Sequence, residues 1–203
     1  DTRVLDGDFR IHPKNGSIRI VTIKIQLLSA LEFSSIAPLL VNIYLEAMGY
    51  TTAIRDSRIK AWRQAVQEKN FQAVCAHDGT HVLGVAYGYH GHREQWWDQE
   101  VRRGLRERGG ATTDQLFMLN DYFSVTEIHV TPTYQGQGIG HQLLTMLLEN
   151  ANASYALLST PEVIAENNNA FHLYRSLGFT DLIRQFYFRG DTRPFAIMAK
   201  PLP

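Results

Sequence analysis

Residues Thr131–Leu144 read TPTYQGQGIGHQLL, in which three glycines occupy every second position directly before an apolar helical run. Glycine loses more conformational freedom on folding than any other residue, so this cluster indicates that something must approach the backbone closely. The first N–H groups of a helix have no partner inside the helix, and the helix dipole is positive there. The stretch therefore predicts an anion site, and phosphate is the usual anion at such a site.

Two familiar phosphate loops do not fit this stretch. A dinucleotide-binding loop needs the pattern Gly-x-Gly-x-x-Gly and an acidic residue further on, whereas Gly136, Gly138 and Gly140 follow Gly-x-Gly-x-Gly and lack that acidic residue. A P-loop needs Gly-Lys-Ser/Thr, which is also missing. The stretch predicts a phosphate loop of another class.

The elements around the loop alternate between strands and helices. Asp78-Gly79-Thr80 joins two apolar runs and predicts a β-hairpin, because Asp-Gly supplies the positive φ angles of such a turn. Period and composition predict strands at 18–27, 71–77, 81–90, 121–130, 155–160, 183–188 and 195–200. They predict helices from about Ser35 to Met48 and at 56–69, 92–108, 137–151 and 166–179. This order predicts an α/β sandwich around a largely antiparallel sheet.

Composition sets further limits. The chain has 203 residues, 44% of them hydrophobic and 20% charged, which predicts one domain over 18–203 after an extension of uncertain order at 1–17. Its 20 basic and 20 acidic side chains cancel, which argues against nucleic acid or an anionic membrane as a partner. The longest apolar stretch is interrupted by Pro38 and Glu46, so no membrane span is predicted. The single cysteine, Cys75, fits a reducing compartment and predicts a cytoplasmic location.

Two blocks of the sequence resemble one known family. Gln135-Gly136-Gln137-Gly138-Ile139-Gly140 is similar to the Gln/Arg-x-x-Gly-x-Gly/Ala loop of the GNAT superfamily of acyl-CoA-dependent N-acetyltransferases. Asn167-x-x-Ala170-x-x-x-Tyr174-x-x-x-Gly178-Phe179 resembles the next motif of that family. The resemblance covers roughly 122–180 and implies the GNAT fold, a mixed, largely antiparallel sheet of six to seven strands with helices on both faces. It also implies that the coenzyme-binding strands splay apart.

The same resemblance implies acetyl-CoA as the cosubstrate and assigns it a set of residues. The set combines the end of one strand, the glycine loop and the following motif: Ile128, Val130, Gln135, Gly136, Gln137, Gly138, Ile139, Gly140, His141, Asn167 and Tyr174. Tyr174 is further implied as the acid that protonates the departing thiolate, and the alternative for it is a core aromatic. For Asn167 a plain helix cap is the alternative.

Glu127 and His129 are the candidate bases. They lie two residues apart on a predicted strand and therefore point to the same face, close to the implied thioester. A primary amine with a pKa of about 10.4 is mostly protonated at neutral pH, an obstacle of roughly 4 to 5 kcal/mol, so a base must help. The alternatives are a structural partner of an arginine for Glu127 and a half-buried histidine for His129. The backbone N–H groups of His129 and Val130 are expected to meet the oxyanion.

Three further features have weaker assignments. The family often places acceptor-binding elements where the helix at 92–108 lies, and its Trp96-Trp97 pair either walls a pocket or divides between core and surface. Arg175 is expected to be a solvated charge. His90, His92, Glu94 and Glu100 match no standard ligand spacing, so no metal is predicted.

Taken together, these residues predict an N-acetyltransferase that passes the acetyl group of acetyl-CoA to a primary amine of a small molecule or peptide, by direct attack in a ternary complex. The alternative is a non-catalytic acyl-CoA-binding regulatory module, because a coenzyme loop can persist without chemistry. The acceptor is left open between aminoglycosides, polyamines, amino acids and protein N-termini. Many members of the family are dimers, so the resemblance also allows a homodimer.

Overall fold

The computed structural model describes residues 4–11 and 19–203. Its backbone contacts divide it into two compact units: Asp1–Tyr89 with Thr126–Ala151, and His90–Val125 with Asn152–Pro203. One strand, β5 (Tyr122–Val130), contributes its first half to the second unit and its second half to the first.

The first unit contains the N-terminal strands and three helices. Strands β1 (Val4–Ile11), β2 (Arg19–Leu28), β3 (Gln72–His77) and β4 (Val82–His90) lie side by side in that order, with β5 next to β4. The pairs β1–β2, β2–β3 and β3–β4 are antiparallel. The helices are α1 (Ala30–Met48), α2 (Arg55–Ala65) and α5 (Ile139–Glu149). The predicted hairpin is confirmed, since β3 pairs antiparallel with β4 across the Asp78-Gly79 turn.

Helix α1 begins five residues before the predicted start at Ser35, because Ser29 and Glu32 form a capping box. The Ser29 Oγ accepts from the Glu32 N–H at 3.2 Å, and a Glu32 carboxylate oxygen accepts from the Ser29 N–H at 2.8 Å. At 19 residues the helix has the length and apolar composition of a membrane-crossing segment. Seven of its residues, however, are buried in the protein.

Helices cover both faces of the sheet in the first unit. Val85 and Tyr87 of β4 belong to a core that also contains the buried side chains of α1 and α2, such as Trp62. Gly84 faces the opposite side, where a Cβ would lie 2.9 Å from the Leu143 Cδ1 of α5. Successive residues of a strand point to opposite faces, so α5 lies on the face away from α1 and α2.

The second unit contains the first half of β5 and three more strands, β6 (Tyr155–Pro161), β7 (Thr180–Phe186) and β8 (Phe195–Pro201), in the order β5-β6-β8-β7. Its helices are α3 (Trp96–Glu107), α4 (Thr113–Met118) and α6 (Asn169–Ser176). β6 is parallel to β5, whereas β6–β8 and β8–β7 are antiparallel. A separate core joins α3 to these strands, with Val101, Ile183 and Ile197 among its members.

The predicted fold class is confirmed as an open, mixed and largely antiparallel sheet with flanking helices. The strand count is eight over the described residues, because Val4–Ile11 forms β1 in a stretch where no strand was predicted. Helix α4 was also not predicted. The remaining residues of the predicted extension, 1–3 and 12–17, and the predicted first strand residue, 18, lie outside the described part. One domain over 18–203 stays a prediction.

Candidate active site

The second half of β5 holds the two candidate bases side by side. The strand is buried from Tyr122 to Val125 and opens to half-buried positions from Thr126 to His129. Glu127 and His129 point to the same face, and His129 Nε2 lies 2.6 Å from Glu127 Oε2. The Glu127 side chain is 21% exposed and that of His129 9% exposed, so Glu127 is the more accessible member of the pair. The alternative for Glu127, a structural pairing with an arginine, is not found among the described residues; its partner there is His129.

Aromatic side chains from α1 and β4 surround this pair. The Tyr44 ring meets the His129 ring edge-on, with 5.0 Å between centroids and 73° between planes. Burial raises the pKa of Tyr87 well above its usual value, and the negative charge of Glu127 raises it further. Burial also raises the pKa of Tyr89, against a hydrogen bond with Thr126 that lowers it. Both phenols therefore stay protonated near neutral pH, which leaves Glu127 and His129 as the proton acceptors of this cluster.

The glycine loop is held by hydrogen bonds on both sides. The Thr131 N–H donates to the Leu83 carbonyl of β4 at 2.8 Å, and the Gln135 side chain donates to the Val130 carbonyl at 2.9 Å. The Gln135 N–H itself donates to the Pro132 carbonyl at 3.3 Å. Gln135 thus shapes the loop instead of offering a free backbone donor.

Gly136 and Gly138 have positive φ angles, 74° and 87°, and Gly138 is the N-cap of α5. Within the described ranges, none of the amides from Gly136 to His141 donates to another protein group. A Cβ on either glycine would meet no protein atom within 4 Å, so the loop is open on the side where a side chain would stand. Free amides at a helix N-terminus fit a diphosphate, which is the part of coenzyme A that such a loop can hold.

Only the first residues of β5 pair with β6. β5 pairs with β6 only at Tyr122–Ser124, and Val125–Val130 continue beyond the last pair. Because the Thr131 N–H faces β4 and backbone groups alternate in direction along a strand, His129 also turns its N–H toward β4. Ile128 and Val130 turn theirs the other way. Of the two predicted oxyanion donors, Val130 is therefore the one on the free edge.

The second sequence motif lies in the second unit, and one part of its interpretation was wrong. Helix α6 begins at Asn169 and is capped by Asn168, whose side chain accepts from the Phe171 N–H at 2.8 Å. Asn167 is therefore neither the cap nor on the helix face shared by Ala170 and Tyr174. The physical reason is a left-handed turn just before it, with φ of 54° at both Ala165 and Glu166. These two residues block an earlier helix start.

Tyr174 is buried, with 7% exposure, and its ring meets the Phe179 ring edge-on at 6.0 Å. Helix α6 ends at Ser176, short of the predicted 179, because Gly178 has a φ of 84°; its N–H donates to the Arg175 carbonyl at 3.0 Å. The buried ring agrees with the alternative that Tyr174 is a core aromatic residue. A buried ring is also compatible with a catalytic role of the hydroxyl group. The acid role of Tyr174 stays a prediction.

Arg175 is not the solvated charge that was predicted. It lies 2.6 Å from both Glu166 and Asp181, and Arg184 bridges Glu166 to Glu162 at 2.8 and 2.6 Å. These five side chains form an ion-pair cluster that ties the left-handed turn before α6 to β7. The partners are distant in sequence, so spacing along the chain gave no signal for the cluster.

Glu162 provides a test of that cluster. Hydrogen bonds from Arg184 lower its pKa below the usual value, so the stabilisation exists above about pH 4.5 and is lost as the pH falls through the lowered pKa. We expect E162Q to lower the free energy of unfolding by about 1–2 kcal/mol near neutral pH and by much less at about pH 3. Urea unfolding at both pH values measures this difference. E94Q is the control, because the Glu94 side chain is 93% exposed and its replacement should change stability little at either pH; an E162Q effect independent of pH would contradict the prediction.

The Trp96-Trp97 pair divides between surface and interior. Trp97 Nε1 donates to Ser159 Oγ at 3.1 Å, whereas Trp96 is 55% exposed and stacks on Phe188. No cluster of three or more His, Cys, Asp or Glu side chains suited to a metal ion occurs in residues 4–11 and 19–203.

Comparison with known proteins identifies the family. The family model described as "Acetyltransferase (GNAT) domain" matches residues 72–181, which is more than half of the chain. The chain belongs to the GNAT superfamily. Like other GNAT acetyltransferases, it is an acyltransferase that depends on acetyl-CoA, as the resemblance implied.

Two relatives and one solved structure illustrate this membership. The GNAT chain is 37% identical over 184 residues to the GCN5-like protein acetyltransferase Rv2170 of Mycobacterium tuberculosis, covering 80% of this chain and 89% of that protein. It is 38% identical over 85 residues to the ribosomal protein bS18-alanine N-acetyltransferase of Escherichia coli K12, over 40% of this chain and 57% of that enzyme. The acetyltransferase yncA of Salmonella typhimurium, solved with acetyl-CoA, has the same fold, with a TM-score of 0.58, 19% identity, and coverage of 89% of this chain and 94% of that one.

Proposed function

We propose that this GNAT enzyme transfers the acetyl group of acetyl-CoA to a primary amine of a peptide or protein, by direct attack in a ternary complex with Glu127 as the general base. The observation that carries the proposal is the Glu127–His129 pair, which lies on β5 a few residues before the coenzyme loop. The names of two relatives, a protein acetyltransferase and a ribosomal protein alanine acetyltransferase, favour a peptide amine over a small molecule.

In the proposed reaction the acceptor must first lose a proton. Glu127 is the more exposed member of the pair and takes that proton, directly or through one water. His129 Nε2 lies at hydrogen-bond distance, 2.6 Å, from Glu127 Oε2 and holds the Glu127 side chain in place. It also shares the change in charge that occurs when Glu127 takes up the proton. The neutral amine then attacks the thioester carbonyl: an N–C bond forms, the C–S bond breaks, and the nitrogen releases its second proton to solvent as the amide forms.

Two further groups complete the proposed step. The Val130 N–H lies on the free edge of β5 and is the donor proposed for the oxyanion. The Tyr174 hydroxyl is proposed to protonate the departing thiolate. The amides from Gly136 to His141 would hold the diphosphate of the cosubstrate and so fix the position of its thioester.

Cys75 supports direct attack over a covalent acetyl-enzyme. It is the one cysteine of the sequence, and it is buried, with 2% exposure. Burial raises the pKa of its thiol to about 11, so little thiolate exists near neutral pH. The chain thus offers no activated thiol to carry the acetyl group.

The Y174F variant tests the acid role. Removing the hydroxyl takes away the proton donor but leaves the ring and its contact with Phe179, so we expect kcat to fall about 10- to 50-fold. The affinity for coenzyme A, measured by calorimetry, should stay unchanged. An unchanged kcat would remove Tyr174 from the acid role.

The acceptor class is tested by a thiol-release assay with acetyl-CoA. The panel contains peptides with a free N-terminus and no lysine, N-terminally blocked peptides with one lysine, and small amines such as polyamines, aminoglycosides and amino acids. Turnover with one peptide class at a kcat/KM well above that of every small amine supports the proposal. Preference for a small amine contradicts the acceptor class, and coenzyme A binding without turnover for any amine favours the regulatory module instead. The cytoplasmic location and a homodimer stay predictions.

A further inference from the structure

The Tyr44 side chain of α1 lies between the His129 imidazole of β5 and the aromatic side chains packed beside α1. On one side its ring meets the His129 imidazole edge-on at 5.0 Å. On the other it contacts Trp62 and Tyr50, with ring centroids 5.8 and 5.5 Å away. Tyr44 is 4% exposed, so these contacts fix its position.

A cation completes the stack from the direction of α2. The Arg58 Cζ lies 5.6 Å from the centroid of the Tyr44 ring, within the range of a cation–π contact. Arg58 itself is exposed on the helix surface. The side chains Arg58, Tyr44, His129 and Glu127 thus follow one another from the surface of α2, through α1, to the candidate base on β5.

The packing of the Tyr44 ring restricts the rotation of the His129 imidazole. His129 has two rotatable side-chain bonds, and its contact with Glu127 is one hydrogen bond at 2.6 Å. A ring packed at 73° against the imidazole plane removes the space into which it would rotate. Without that ring the hydrogen bond would be broken part of the time, and Glu127 would lose the partner that orients it.

We infer that Tyr44 is a positioning residue, which holds His129 against Glu127 and thereby couples the α1–α2 pair to the proton-transfer site. The inference rests on the proposed function, since it assumes that Glu127 is the base. It adds that residues on the two helices, remote from the coenzyme loop, set the efficiency of deprotonation.

The pH dependence of the rate distinguishes a positioning role of Tyr44 from a purely structural one, because a loss of core packing alone would not shift the pH profile. The titratable and charged groups around the pair are Arg58 of α2, Glu68 beyond its end, and Tyr87 and Tyr89 of β4, in addition to Tyr44. Both β4 phenols have raised pKa values and stay neutral. Changes in the acidic limb of the rate profile therefore report on Glu127 and His129.

The experiment compares Y44L with the matched control Y50L. Tyr50 packs on Tyr44 in the same core, but the ring that meets His129 is that of Tyr44. We expect Y44L to lower kcat about 10- to 50-fold, to leave the KM for acetyl-CoA unchanged and to move the acidic limb by about half a pH unit or more. Y50L should leave the acidic limb in place, and Y44F, which keeps the ring, should recover most of the activity lost in Y44L. Equal losses in Y44L and Y50L with no movement of the acidic limb would overturn the inference.

A second variant and an NMR measurement cover the case in which Y44L does not fold or the proposed base is wrong. If Y44L does not fold, Y44M replaces it, because methionine fills much of the same apolar space but removes the ring that packs on His129. Y44M should then move the acidic limb in the same direction, and an unmoved limb would overturn the inference. Nitrogen-15 NMR of the His129 imidazole separates this failure from a failure of the proposed function. A changed imidazole signal in Y44L with normal activity in E127Q would disprove the base but keep Tyr44 as the residue that orients His129.

Discussion

The E127Q variant should lose about 10²- to 10³-fold in kcat, with little change in its affinity for acetyl-CoA. Glutamine has nearly the same shape as glutamate and can still contact His129, but its amide cannot accept the proton of an ammonium group near neutral pH. The loss should be largest where the wild-type rate depends on the ionised carboxylate, so the acidic limb of the kcat/KM profile should flatten. Thiol release with the best peptide acceptor, followed across the pH range, measures both effects.

The control for this variant is E94Q. The side chain of Glu94 is 93% exposed, and its Oε2 lies 3.9 Å from His92 Nδ1. It should behave like the wild type, which excludes a general effect of removing one negative charge. An E127Q rate within about twofold of the wild type, with the same pH profile, would assign the proton to another group.

The G138A variant should weaken the binding of coenzyme A by about 100-fold, as measured by calorimetry. Two effects add in this variant. The φ of 87° at Gly138 is a conformation that an L-residue adopts at a cost of about 1–2 kcal/mol. The new methyl group would also stand on the open side of the loop, where the diphosphate is proposed to bind.

G190A separates these two effects. Gly190 has a φ of 86°, and a Cβ there would also meet no protein atom within 4 Å, so the backbone strain is matched. Gly190 lies between β7 and β8, away from the coenzyme loop in sequence. G190A should lose stability to about the same extent as G138A but bind coenzyme A like the wild type. Equal losses of affinity in both variants would show that strain, and not the loop, controls binding.

Local signals in the sequence were enough to predict the glycine loop, the hairpin and the strand that carries the two candidate bases. Glycines at alternate positions before a helix, Asp-Gly between apolar runs and a β-branched alternation each act over a few residues. The start of α1 was also readable, because Ser29 and Glu32 have the spacing of a capping box. The prediction of a start at about Ser35 does not use this signal.

Other features could not be predicted because their partners are far apart along the chain. β1 exists through its pairing with β2, while its own sequence shows no clear period. The contact between Tyr44 and His129 requires that α1 lie over β5, and no spacing rule gives that arrangement. Arg175 was misread for the same reason, since the acidic partners of its cluster come from the turn before α6 and from β7.

Asn167 illustrates a different limit. Its spacing from Ala170 and Tyr174 fits one helix face, but the helix begins two residues later. Non-glycine residues with positive φ, such as Ala165 and Glu166, are uncommon, and sequence alone rarely indicates them. Ion pairs formed by Glu166 hold this turn in place, so tertiary contacts decided the helix start.

Single-turnover mass spectrometry tests the central claim of direct transfer most directly. The protein is first mixed with an equal amount of acetyl-CoA without acceptor, quenched at intervals and weighed intact. The peptide acceptor is then added, and product formation is followed in the same samples. Direct attack predicts that the protein mass never changes and that acetylated peptide forms in one phase, at a rate that falls in E127Q. A protein that gains one acetyl group before the acceptor arrives, and passes it on afterwards, would contradict the account.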